Sequence, residues 1–243
     1  MAIGLGLAIA VTLGWLLIAS LLRAAPPWWR QVRVSEAQTQ QIAQEVENSV
    51  VTLLHLSREG AASSSGSDGR SEGGLWRSEP WGVSIPASDA NAWINARLPR
   101  WLETSGSDLR LPPEFRDAQV EFDDGRVWIG VAYRGSEAEG TSRVLSAGFV
   151  PSFDASGMLG LRLERVSIGR LPISRGMLHE VVERLDAGSD PEVLGAVRAL
   201  LAGERVGVSP VLDLEDGRRV RITGLRARGG RLEVTCVTEH GGS

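Results

Sequence analysis

Residues 118–133 read AQVEFDDGRVWIGVAY. Val120 and Phe122 alternate with Glu121 and Asp123, and Val127, Ile129 and Val131 resume the alternation beyond Asp124-Gly125. A period of two on both sides of an Asp-Gly pair predicts a β-hairpin, because the tight hairpin turn needs positive φ at its central residues. Working outward, the runs 143–154 and 158–168 are parted by Ser156-Gly157, and Leu159, Leu161 and Leu163 alternate, so an antiparallel meander is expected to continue. On the N-terminal side WGVSI at 81–85 predicts a short strand closed by Pro86. A helix should follow it, capped by Ser88 or Asp89, with Trp93, Ile94 and Leu98 on the buried face and Pro99 limiting its length.

Beyond the meander, Met177, Leu178, Val181, Val182 and Leu185 fall at helical spacing, and Asp190-Pro191 opens a second helix carrying Val193, Leu194, Val197, Leu200 and Leu201, stopped by Gly203. Strands are expected again over 206–214, 220–225 and 232–238, with turns at Asp216-Gly217 and Gly229-Gly230. Runs of strands broken by separate helices predict an α+β fold with a mainly antiparallel, meander-like sheet and three or four helices. The expected organisation is an anchor at 2–22, an amphipathic helix at 35–58, a linker at 60–75 and one α+β domain at 76–240.

The anchor is read from the charge-free run Ala2 to Leu22, which at about 1.5 Å per residue reaches roughly 31 Å, the thickness of a bilayer core. That length predicts a single-pass transmembrane helix in the cell membrane, with Trp28 and Trp29 at headgroup level. Small residues at Gly6, Ala10 and Gly14 offer a stripe for a homodimer, although such residues are common in membrane helices anyway. Ser35 with Gln38 resembles a capping box, and Ile42, Val46, Val50, Leu53 and Leu54 follow at helical spacing. Its Gln- and Glu-rich polar face suits packing on protein better than lying on anionic lipid. The stretch 60–74 has no apolar residue larger than Ala and predicts a flexible linker.

Composition closes several classes. Against 30 acidic residues stand 26 basic ones, all Arg, for a net charge of −4, which argues against a nucleic-acid partner. The single cysteine, Cys236, excludes an internal disulfide, a Cys-x-x-Cys redox pair and a zinc knuckle, and its alternating surroundings make it a core filler. His179-Glu-Val-Val-Glu183 approaches the zincin helix motif, but Glu183 stands where the second His ligand belongs, so no metal is expected. Nucleophile-elbow and phosphate-loop motifs are absent, Asp123-Asp124 and Glu215-Asp216 belong to turns, and no catalytic residue or cofactor is assigned. An envelope hydrolase with a dispersed active site, drawing on His179, Glu180 and Glu183, is the alternative.

What stands out is tryptophan. The chain holds 8 Trp against 1 Tyr and 4 Phe, and Trp76, Trp81, Trp93, Trp101 and Trp128 lie close in sequence. Trp81, Trp93, Trp101 and Trp128 are the candidate ligand-binding residues, with an ordinary core between helix and hairpin as the plainer alternative.

The succession Val83-Ser-Ile, NAWINARL at 91–98, VEFDDGRVWIGVAY and GFVPSFDASGMLGLRLERVSIGRLPIS resembles the YpmS-like family of single-pass membrane proteins over about residues 81–185. The resemblance implies one N-terminal anchor and an extracytoplasmic domain, and no catalytic residue. By contrast Arg23, Arg30 and Arg33, all after the apolar run, would hold the domain in the cytoplasm by the positive-inside rule. The expected function is a membrane-anchored envelope binding or scaffolding module that takes a lipid, another apolar ligand or an envelope protein.

Overall fold

In a computed structural model the described residues are 15–30, 35–56, 76–104, 115–134, 142–174, 176–177 and 191–240. Their helices are α1 (15–23), α2 (Glu36–His55), α3 (Ala87–Ala96), α4 (Leu98–Thr104) and α5 (Pro191–Ala202). The strands are β1 (Trp76–Arg77), β2 (Trp81–Pro86), β3 (Phe115–Asp123), β4 (Arg126–Arg134), β5 (Ser142–Phe153), β6 (Leu159–Ile168), β7 (Leu171–Pro172), β8 (Arg205–Val208), β9 (Val211–Asp213), β10 (Arg218–Arg228) and β11 (Arg231–His240). Antiparallel sheet dominates the described residues.

The fold-class expectation needs correcting. Among the described residues no helix is long and apolar enough to cross a membrane, so the expected transmembrane helix is not shown. Residues 2–14 of the expected anchor, with the stripe at Gly6, Ala10 and Gly14, lie outside the described residues, as do the linker at 60–75 and His179, Glu180 and Glu183. What is described of the run is α1, whose C-terminal end is held by protein. Arg170 donates its backbone N–H to Leu21 O at 2.9 Å and its Nε–H to Ala25 O at 3.0 Å. A cation and a donor at a helix C-terminus satisfy carbonyls that have no partner within the helix.

The strands form two sheets, where one meander was expected. One follows the order β3-β4-β5-β6-β7, with β8 also on β6, and the other β1-β11-β10-β9, with β2 also on β11. The hairpin at 118–133 forms as read: Asp124 and Gly125 take φ of 47° and 74°, and Val120 faces Ile129 across the β3–β4 ladder. The run 206–214 splits at Ser209-Pro210, because proline cannot donate to a ladder. Its first half pairs with β6 and its second with β10, so the chain changes sheet there.

The sheets meet at their hairpin tips. Gly125 N–H bonds Ala227 O at 2.8 Å and Gly230 N–H bonds Phe122 O at 2.8 Å. Ala87, Val120, Phe122 and Ala227 form the core at this corner, with Ile94, Val127 and Leu232 packed on them. Farther along the same face, Leu200 and Leu201 of α5 cover Ala147, Phe149, Leu163 and Val166. The N-terminus of α3 uses neither Ser88 nor Asp89 as a cap. Pro86 takes the cap position, the Ala87 N–H is accepted by Gly230 O at 2.9 Å, and Ser88 donates to Asp89 instead. Pro99 falls in the first turn of α4, where a missing N–H costs nothing.

Ser35 accepts from Gln38 N–H at 3.3 Å and starts α2. The helix packs on α3, burying Ala43 completely. Arg97 reaches back from α3 to Gln44 and, at 3.3 Å, to Glu47. At its other end Arg218 of β10 donates to the carbonyls of His55 and Leu56.

Candidate functional site

The inward and outward residues of the β3–β6 sheet follow from its register. Gln119 and Glu121, Trp128 and Gly130, Ser146 and Gly148 share the face opposite Val120, Phe122, Val127 and Ala147. The segment after α1 lies across that face. At Gly130 a Cβ would sit 2.6 Å from the Trp28 ring and 3.0 Å from that of Trp29, so only glycine admits these rings. Trp28 meets Trp29 edge-on at 5.9 Å between centroids and lies over Trp128 at 6.3 Å with a 31° tilt. Trp128 in turn occupies the space above Gly148.

Three side-chain amides fix the surrounding backbone. Asn95 donates to Ala118 O at 2.7 Å and accepts from Ala118 N–H at 3.1 Å. Asn91 does the same for Val120, at 3.1 and 2.5 Å. Four residues of helix advance about 6 Å and two residues of strand about 6.6 Å, so asparagines at i and i+4 match backbone groups at i and i+2. The β3 edge is thereby sealed against another strand. On the neighbouring side Gln119 donates to Arg30 O at 2.6 Å and accepts Arg30 N–H at 3.1 Å.

Between these parts lies a cavity of about 580 Å³, walled by Trp28 and Trp29, by Thr39 and Ile42 of α2, by Ala87, Asn91 and Ala92 of α3, and by Gln119, Glu121 and Ala132 of the sheet. Its size is that of a small-molecule site. Arg30 and Asp117 stand at its margin. Glu121 accepts Phe122 N–H at 3.1 Å, and its other oxygen is 3.8 Å from Arg30. The carboxylates held below their usual range lie elsewhere: Asp154 by its hydrogen bond from Ser156, Glu164 by that from Arg126, and Asp216 by that from Arg218.

The four tryptophans singled out from sequence are spread over β2, α3, α4 and β4, and none is among the described lining residues of the cavity. Trp81 lies opposite Cys236 and donates its indole N–H to Thr238 at 3.1 Å. Trp93 is half-buried and Trp101 is exposed. Only Trp128 belongs to the Trp28–Trp29 group. The tryptophans that line the cavity are the pair read from sequence as a headgroup anchor. The signal that could have placed them was glycine: Gly130 and Gly148 interrupt otherwise good strands, and a strand glycine marks close approach. Cys236 is buried, as a core filler would be. The chain matches no family model, no curated protein and no solved structure.

Proposed function

We propose that this chain is a non-catalytic binding module whose site is the cavity beneath Trp28 and Trp29, taking an apolar or amphiphilic ligand such as a lipid. The observation that carries this is the committed state of the lining amides. Asn91, Asn95 and Gln119 spend their hydrogen bonds on backbone, so the walls rigidly hold an aromatic and aliphatic space open. The YpmS-like resemblance alone supplies the setting, an extracytoplasmic domain of the cell envelope.

The test uses N-phenyl-1-naphthylamine, a neutral apolar fluorophore, on the full chain. Saturable binding near one per chain is expected, and Ile42→Trp, which fills the space from the α2 side, should abolish it. No binding to the unaltered chain, or binding undiminished by Ile42→Trp, overturns the proposal.

A further inference from the structure

We infer that the ligand of this cavity is an amphiphilic cation, an apolar chain ending in an ammonium group. The inference rests on the cavity reading above and adds the sign of the charge. Of the polar groups in the lining, the three amides are committed to backbone, and Thr39 and Ser88 donate to Ser35 O and Asp89. Ser142 and the exposed guanidinium of Arg30 stand at the rim, and the charged group set deepest in the lining is the Glu121 carboxylate, with Asp117 beside it at the margin.

Glu121 keeps only 13% of its side chain exposed, and its ionic neighbour among the described residues, Arg30, is 3.8 Å away and 79% exposed. A solvated guanidinium at that distance offsets a largely desolvated carboxylate weakly. Asp117 adds a second negative group for a local reason. The β3 ladder shifts register between Arg116 and Ala118, and Asp117 is the extra residue, at φ 50°, exposed at the cavity margin. Bulges re-aim side chains, and aspartate tolerates the left-handed backbone.

Beside these carboxylates stand the rings of Trp28 and Trp29, whose negative faces attract a cation. An apolar chain would lie against Ile42, Ala87 and Ala92. An anionic head of the same size would meet the largely buried Glu121 carboxylate and the exposed one of Asp117.

The experiment compares dodecyltrimethylammonium with dodecanoate, each below its micelle concentration, by displacement of N-phenyl-1-naphthylamine from the full chain. The cation should displace the probe about tenfold more tightly than the anion. Glu121→Gln and Asp117→Asn should each reduce that ratio, and Arg30→Gln, a change at an exposed side chain, should raise it. Equal displacement by the two, preference for the anion, or a ratio that Arg30→Gln leaves unmoved overturns the charge assignment while probe binding keeps the cavity reading intact. Failure of the probe itself to bind removes the cavity reading and this inference with it.

Discussion

The two faces of the β3–β6 sheet are covered by different means. On one, α3, α5 and the tips of β10 and β11 bury alanine, leucine, valine and phenylalanine side chains against Val120, Phe122, Ala147 and Val166. On the other, a short segment after α1 is fixed by Gln119 and Arg170 through its backbone, and fills the space above Gly130 with Trp28 and Trp29. The first face is held by apolar area, which is non-directional and spread over many residues. The second depends on a few polar clamps and on the absence of one Cβ. Each can therefore be broken separately.

Phe122→Ala should have the largest effect. Phe122 is 3% exposed at the corner where both sheets and α3 meet, and loss of a buried phenylalanine costs about 3–5 kcal/mol. Urea denaturation should show a lower midpoint with one cooperative transition, because this corner joins every layer. Gly130→Val attacks the opposite face. Its side chain would overlap both tryptophan rings, at a cost of about 1–3 kcal/mol, and the segment can lift away while the aliphatic face stays packed. The expected result is altered tryptophan fluorescence and lost probe binding with the far-ultraviolet circular dichroism retained. Global unfolding by Gly130→Val would mean that the two faces are one cooperative unit.

The same division explains what could be read beforehand. The hairpin at 118–133, the strands of β5 and β6 and the helices at 87–96 and 191–202 announce themselves by periodicity, since each buries one face of a regular element. The sealing of the β3 edge does not. Asn91 and Asn95 are ordinary polar helix residues until the register of a strand some 25 residues on brings Val120 and Ala118 beside them. Trp28 and Trp29 are hard to place from sequence for a related reason. A Pro-Pro-Trp-Trp sequence after an apolar run has the composition of a membrane interface, and only the pairing of β4 with β5 shows that Gly130 makes room for these rings. The split at Pro210 is written in a single residue, but which sheet each half joins is set by long-range pairing.

The smallest effect concerns the tie between α2 and the second sheet, and it is electrostatic. Arg218 holds the α2 carbonyls of His55 and Leu56 while its Nε donates to Asp216 at 2.8 Å. That hydrogen bond, with a second from the Arg218 backbone, lowers the Asp216 pKa from 3.8 to about 2. A depressed carboxylate stabilises the fold fully above its unfolded pKa and loses that contribution as pH falls through its folded value. The stabilisation should therefore be complete above about pH 4 and gone below about pH 2. Asp216→Asn should lower the urea midpoint slightly above about pH 4, flatten its decline through the acid window and converge with the unaltered chain below it. Because Asp216 is solvated, added salt should shrink the difference. Were the acid dependence unchanged in Asp216→Asn, the carboxylate would not be what orients Arg218, and the α2 tie would rest on Arg218 and the carbonyls alone.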